Sequence, residues 1–349
     1  MRHFYRFFLV SLAFLVLAAA LSWGAGEQEG EAGSGPAEAT DELVVYTYDV
    51  FPDAMQKAVE SHFTEQYGVT VDFQRFADTG GLYNQVYLER NNPKADVAIG
   101  LDTTYLGRIF DNELFASYEP ENLQLDKKFL RVDPEHRAIP FDYGHIALNY
   151  NSAQVEDPPQ SWQELTAERF RDSIVMLNPG TSSPGRNFFL LTIAELGTDR
   201  YLDFWRELKP NILTVTDGWS EGYGLYTQGE APIVVSYETS PPYHIEFEDT
   251  RKYQNLFVNG KAYAQVEVAG IIDGAQNRVN AERFMEFILS EEFQKLIPLN
   301  QFMYPVHPGV ELPESFQQIE TAEDVVLMDE SRVAENYEQW LSDWEEVMR

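Results

Sequence analysis

An alternation of apolar strands with amphipathic helices runs through most of the chain and restricts its fold more than any other feature. It opens with a strand at Leu43 to Thr47, a helix from about Asp53 to Tyr67 and a strand at Val69 to Arg75. A helix near Leu82 to Arg90 then leads to an apolar strand at Ala95 to Gly100. Hydrophobic periods of 2 and 3.6 in this order are the βαβ rhythm of an α/β lobe. A second series follows Ile139, with strands at His145 to Tyr150, Ser173 to Leu177, Leu213 to Thr216 and Ile233 to Tyr237. Between them lie helices at Trp162 to Phe170, about Phe188 to Leu196 and Tyr201 to Lys209. Helices at about Ala281 to Leu289, Glu292 to Leu296 and Ser331 to Met348 complete the plan, with no repeat of solenoid period.

The roughly 308 residues beyond residue 41 are many for one core, so two lobes are expected. PFDYGHIALNYN, Pro140 to Asn151, reads as an extended crossing between them, and the apolar segment Ala264 to Ala269 as the return. The expected division is 42–140 with 270–305 as lobe 1 and 141–269 with 306–349 as lobe 2, joined by a two-strand hinge.

At the amino terminus, Arg2 and Arg6 flank an apolar run from Phe7 to Ala20, followed by small residues through Ala25 and an acidic, Gly-rich stretch. That order is the order of a secretory signal, and the run is short for a membrane span of about 20 apolar residues. Residues 1–25 are therefore expected to be a cleaved signal peptide and 26–41 a disordered acidic linker, giving an exported, periplasmic protein. The chain has no cysteine, so neither a lipoprotein anchor nor a disulfide framework is available. The formal charge is −32, and −34 without the first 25 residues. Nucleic acid and anionic lipid need basic patches and are excluded as partners, whereas a cationic ligand is compatible.

Between Thr214 and His244 the chain reads TVTDGWSEGYGLYTQGEAPIVVSYETSPPYH. It sets Trp219, Tyr223, Tyr226, Tyr237 and Tyr243 among glycines, hydroxyls and carboxylates. Aromatic faces attract flat cations, and Asp217, Glu221 and Glu238 can balance the charge. The segment reads as a binding surface; singly, each ring would serve equally well as core.

Blocks along the whole chain beyond the leader resemble one family. They include VVYTYDVF near Val45, KADVAIGLD at Lys94 to Asp102, PFDYG at Pro140 to Gly144 and NPGTSSPG at Asn178 to Gly185. TDGWSEGYGL at Thr216 to Leu225, SYETSPPYH at Ser236 to His244, YAQVEVAG at Tyr263 to Gly270 and FMYPVHP at Phe302 to Pro308 continue the series. In this order they resemble the periplasmic thiamine-binding proteins of ABC importers. The resemblance implies a bilobal α/β fold of the periplasmic-binding-protein type II class. It also implies capture of thiamine or its mono- or diphosphate between the lobes, with permease subunits of the importer as partners and a monomeric receptor.

On that resemblance Tyr243 is the ring-stacking residue, Trp219 and Tyr237 line the same cleft, and Tyr48 closes it from the other lobe. Phe302 stands where relatives often carry Trp, and Met55 could also pack on a ring. Asp78 and Thr79 in ADTGG occupy a ligand-contact loop, in which Gly80 and Gly81 would permit close backbone approach. Ser182 and Ser183 offer hydroxyls and helix N-terminal N–H groups for a phosphate or hydroxyethyl end, or simply cap a helix. Thr239 and Ser240 could hydrogen-bond the ligand while Glu238 adds charge; structurally, the same segment reads as a strand end stiffened by Pro241 and Pro242.

Catalysis finds little support. There is no G-x-S-x-G elbow and no P-loop, and His136, His145, His244 and His307 are scattered without zinc-ligand spacing. No catalytic residue, resident metal or cofactor is expected, thiamine being cargo. A polyamine or iron(III) binder of the same fold is the alternative, and a thiamine-processing enzyme is the alternative of a different class. Iron(III) binders tend to present adjacent tyrosines, which Tyr237 and Tyr243 are not.

Overall fold

Two long strands, Ile139–Asn151 and Lys261–Ile272, pair antiparallel through the middle of the protein, and the remaining sheet is built outward from them. The computed structural model describes residues 40–121, 123–125 and 132–349, so the expected signal peptide and nearly all of the linker lie outside the described residues. In chain order the strands are Glu42–Tyr48 (β1), Thr70–Phe76 (β2), Val97–Asp102 (β3), Phe115–Ala116 (β4), Ile139–Asn151 (β5) and Ile174–Leu177 (β6). They continue with Ile212–Thr216 (β7), Ile233–Tyr237 (β8), Tyr253–Leu256 (β9), Lys261–Ile272 (β10), Tyr304–Pro305 (β11) and Asp324–Val326 (β12).

The main path runs β2-β1-β3-β10-β5-β8-β6-β7. Parallel trios, β2-β1-β3 and β8-β6-β7, thus flank the crossing pair. Each trio is parallel because its strands are joined through helices, as crossover connections require. The crossing strands serve both halves. Ile139 and Phe141 of β5 pack with Val45, Phe63 and Phe284, whereas Ile146 and Leu148 pack with Phe188, Trp205 and Tyr337. Likewise Val266 and Ile271 of β10 belong to the first core and Tyr263 to the second. Two α/β lobes joined by a two-strand hinge are therefore the architecture.

Local sequence explains the elements that position the cleft. Met55, Val59 and Phe63 recur at helical spacing and form the buried stripe of Asp53–Tyr67, which stops at Gly68 in the left-handed region with φ +66. Met55 is fully buried in the first core, so it packs there and not on a ligand ring. The carboxyl-terminal helix Glu330–Met348 buries Val333, Tyr337, Trp340 and Trp344. Its Tyr337 and the first lobe's Tyr105 hold the fully buried Arg186 guanidinium between their rings, 3.6 and 4.1 Å from the centroids. An Arg108–Glu338 ion pair adds a further tie between this helix and the first lobe.

Gly100 marks a β-bulge. Leu101 opposes Val268 and Ile99 opposes Ala269, leaving Gly100 between them at φ +102. A Cβ at this position would lie 2.1 Å from the Tyr48 ring. Gly100→Ala is expected to destabilise the protein by about 1–3 kcal/mol through backbone strain and displacement of Tyr48. Urea unfolding would measure this, and an unchanged midpoint would mean that ring and bulge adjust freely.

Candidate functional site

Where the two trios approach each other beside the crossing strands, residues of both lobes enclose a cavity of about 470 Å³. That volume suits a small organic molecule. Tyr48, Asp78 and Thr79 reach it from the first lobe, and Ser183, Trp219, Tyr237, Ser240 and Tyr243 from the second, with Phe302 at the rim. Nine of the twelve residues singled out from the sequence are thus brought together. Ser182, Glu238 and Thr239 are not among the lining residues. Ser182 and Thr239 are fully buried.

Glu238 follows the end of β8 and turns away from the cavity. Its carboxylate accepts from the Tyr304 hydroxyl at 2.7 Å and the Ala322 N–H at 3.1 Å, and lies 3.3 Å from His145 Nδ1. Burial would raise its pKa, but these contacts outweigh burial and hold it below the ordinary glutamate value. Pro241 and Pro242 begin the helix Pro241–Glu248 and do not stiffen a strand; proline suits a helix start because its missing N–H would be unpaired there.

The aromatic wall is organised by the helix Trp219–Gln228, which the glycine-rich sequence disguises. Trp219 stacks on Tyr223 at 4.7 Å between centroids and meets Tyr237 edge-on at 6.4 Å. The indole N–H of Trp219 donates to Ser236 Oγ at 2.9 Å, which fixes the ring, and Ser236 and Ser240 hydroxyls are 2.7 Å apart. Tyr226 is fully buried in a small core with Val175 and Val234, and so belongs to packing and not to the binding surface. Tyr243 is 42 % exposed, edge-on to Phe302 at 5.4 Å, and lines the cavity. Phe302 sits at φ +54, a conformation that non-glycine residues adopt at some cost. Behind the wall the Tyr223 hydroxyl is 2.8 Å from His244 Nε2, and His244 Nδ1 is 2.8 Å from Glu248. A carboxylate accepts only, so Nδ1 donates to it and Nε2 accepts from the tyrosine. Burial lowers the His244 pKa against the opposing pull of Glu248, consistent with a neutral ring.

The floor is acidic. Glu267 of β10 accepts from the Tyr48 hydroxyl at 3.0 Å and from Gln265 Nε2 at 3.2 Å, while Gln301 donates to the same tyrosine. Asp142 lies opposite Glu267 in the β5–β10 register, is fully buried, and has no hydrogen-bond partner on either carboxylate oxygen among the described residues. Burial first, and repulsion between acids second, push Asp142 well above its ordinary range. Burial likewise pushes Glu267 up to about 8. Glu267, Gln301 and Met303 were not singled out from the sequence. The available signal was the polar alternation of Gln265 and Glu267 within an otherwise apolar strand.

Asp78 ties the lobes together. Its Oδ1 accepts from Thr79 N at 2.7 Å and Ser183 N at 3.3 Å, and its Oδ2 accepts from Trp219 N at 3.1 Å. Each N–H belongs to the first residue of a helix, so three helix N-termini converge on one carboxylate. Burial raises its pKa to about 6 against these donors. The Ser183 hydroxyl donates to Asp102. The N–H and the hydroxyl of Ser183, both expected to serve an anionic ligand end, are therefore already engaged by protein carboxylates. Nearby, Gly80 N donates to Thr181 O at 3.0 Å, and a Cβ on Gly80 would lie 2.7 Å from that oxygen. Gly81 meets no such constraint, its nearest contact being 3.6 Å. Ser220 Oγ adds a bond to Asp49 across the cleft at 2.8 Å.

Residues 92–319 match the family described as bacterial extracellular solute-binding protein. The thiamine-binding periplasmic protein of Brucella abortus biovar 1 (strain 9-941) is 34 % identical over 314 residues, covering 88 % of this chain and 92 % of that protein. The thiamine-binding periplasmic protein of Escherichia coli (strain K12) is 32 % identical over 316 residues, covering 90 % and 95 %. A solved periplasmic thiamin binding protein superposes with a TM-score of 0.82 at 31 % identity, covering 90 % of this chain and all of that one. The chain belongs to the bacterial extracellular solute-binding proteins.

The Asp142–Glu267 pair has a signature in solution. A carboxyl group with a raised folded-state pKa stabilises the fold relatively at low pH, and that contribution is lost as pH rises from the ordinary carboxylate range toward the raised value, about 8 for Glu267. The ligand-free protein is expected to lose stability between about pH 5 and pH 8, and Asp142→Asn to regain about 1–3 kcal/mol at pH 8 with little change at pH 5. Calorimetric unfolding of both proteins across that window measures the difference. Parallel curves would remove the pair from the pH dependence.

Proposed function

We propose that this member of the extracellular solute-binding proteins captures thiamine in the cavity between its lobes and delivers it to the permease subunits of an ABC importer. The observation that carries the reading is the pairing, in one cavity, of the Trp219, Tyr237 and Tyr243 rings with the Glu267 carboxyl group of the floor. Thiamine joins an aminopyrimidine to a permanently cationic thiazolium, and such a molecule needs stacking faces, a few hydrogen bonds and a compensating carboxylate. Tyr243 supplies an exposed face, and Ser240 and Gln301 supply hydrogen-bonding groups beside it. The similarity to thiamine-binding periplasmic proteins over about nine-tenths of the chain supports the same ligand.

The mechanism is that of a receptor and not of a catalyst. Ligand held by both lobes favours the closed arrangement by its differential affinity for that state, and the closed surface is what the permease engages. Export is assigned to residues 1–25 as a cleaved signal, with the mature protein working as a periplasmic monomer and thiamine passing through as cargo. Titration calorimetry of ligand-free protein is expected to give tight binding of thiamine and none of spermidine or ferric citrate at the same concentrations. Tyr243→Ala is expected to weaken thiamine binding by about 1–3 kcal/mol from lost stacking and cation attraction. No heat with thiamine would refute the assignment, and full affinity in a folded Tyr243→Ala protein would remove that ring from the site.

A further inference from the structure

Three buried acids stand side by side across the sheet at the cleft floor. Glu267 of β10 is directly opposite Asp102 of β3 on one side and Asp142 of β5 on the other. Side chains so paired in neighbouring strands share a face of the sheet, with Cβ atoms about 4.5–5.5 Å apart, and like charges there repel. The row is unequally supported. Asp102 accepts from the Ser183 hydroxyl and from Thr104 N, and the Arg186 guanidinium favours its charged form. Among the described residues Glu267 has the Tyr48 hydroxyl at 3.0 Å and the Gln265 amide at 3.2 Å, and Asp142 has no hydrogen-bond partner.

The other titratable groups around the pair supply no counter-charge. Tyr48 and Tyr237 are phenols that burial keeps neutral, and Asp78 adds a further acid. His145 is turned to Glu238, His244 lies between Tyr223 and Glu248, and Asp49 accepts from Ser220. Among the described residues no Lys or Arg lines the cavity. Two carboxylates this close, buried and without a cation, do not both ionise. Burial first, and the neighbouring acids second, accordingly push Glu267 up to about 8 and Asp142 well above its ordinary range.

We propose that Asp142 and Glu267 share a proton in the empty site and that a cationic ligand expels it, so that capture is coupled to proton release. This rests on the thiamine reading above and adds a proton that leaves as the ligand enters. An O–H bond of the pair breaks, its electrons stay on the carboxyl oxygen, and the proton passes to water. The carboxylate left behind is the counter-ion of the thiazolium, whose charge offsets the repulsion and makes the ionised form the stable one. Asp142 is not among the lining residues and acts through Glu267, as a positioning residue. Linkage fixes the sign: affinity rises with pH until the free protein has lost the proton as well, at about pH 8.

Titration calorimetry of the ligand-free protein with thiamine, in buffers of different ionisation heat, counts the proton. Release of about one proton per thiamine is expected near about pH 6.5, with affinity rising roughly tenfold from about pH 6 to about pH 7.5 and levelling above about pH 8. Asp142→Asn keeps the shape and removes one of the two charges. It is expected to cut the release to less than about half and to tighten binding about three- to tenfold near about pH 6. The aminopyrimidine of thiamine can exchange a proton of its own, but it does so equally in both proteins, so the difference between them belongs to the floor. Glu267→Gln serves as a second variant, expected to flatten the pH profile while weakening binding. Thiamine bound with flat affinity and no buffer-dependent heat would overturn the inference and leave the thiamine reading standing. Release unchanged in both variants would place the proton elsewhere and overturn it too. No binding of thiamine at any pH would overturn both.

Discussion

The antiparallel pairing of β5 with β10, from Tyr263 opposite Ile146 to Ala269 opposite Ile139, is the constraint on which the rest of this protein depends. Each strand gives its apolar side chains to one core at one end and to the other core at the other end. The two lobes therefore share a continuous backbone ladder without sharing a hydrophobic core. Such a ladder can twist or bend at modest cost, whereas separating two halves of one packed core would expose apolar surface at about 25 cal/mol per Å². The same two strands set Asp142 against Glu267 at the floor of the cleft. Hinge and candidate site are thus one feature of the sheet, and a change of charge at the floor acts where the lobes join.

That arrangement makes the buried acids intelligible. A fully buried carboxyl group without hydrogen bonds is a liability for stability, and among the described residues none hydrogen-bonds to the Asp142 oxygens. In a receptor the liability has a use. On the proposed reading, a cation in the cavity would favour the ionised form of Glu267 and so couple binding to release of a proton from the floor. Glu238, also deeply buried, shows the opposite treatment: it faces His145, Tyr304 and a backbone N–H, is fully satisfied, and holds structure. The contrast between Glu238 and Asp142 is therefore one of hydrogen bonding and not of burial.

Much of this could be read from the sequence where local pattern decides. The helix Asp53–Tyr67 matches its expected limits, and β1, β2, β8 and the last helix fall within one or two residues of theirs. The helix Trp219–Gln228 was hidden because Gly222 and Gly224 argue against it. Gly222 is present because a Cβ there would lie 2.5 Å from Leu177 and 2.8 Å from Thr216 Oγ1, so close packing on β6 overrides propensity. Once that helix exists, Trp219 and Tyr223 turn to the cavity and Tyr226 to the core, a separation no glycine-punctuated string can express. Ser182, Thr239 and Glu238, expected in the site, lie outside the cavity lining for a related reason. Neighbours of true lining residues share their polarity, but a tight turn into a helix sends adjacent side chains in opposite directions. The meeting of Asp142 and Glu267 is a matter of register between distant strands, which composition and spacing do not encode.

The contacts across the cleft raise the question of what keeps the lobes from remaining shut without ligand. Asp78 with its three helix ends, Gly80 against Thr181, and Asp49 with Ser220 all favour approach. Opposing them are the repulsion among the floor acids, the cost of burying them, and the left-handed backbone of Phe302 at the rim. On the proposed reading, a cation between the aromatic wall and the floor would offset the first of these and add stacking on Tyr243. A receptor needs this kind of balance. If closure were strongly favoured by protein contacts alone, ligand would shift nothing, and if strongly opposed, affinity would be lost in proportion to the rarity of the closed form. Attraction thus rests on backbone donors around one acid, and opposition on a second pair of acids at the floor.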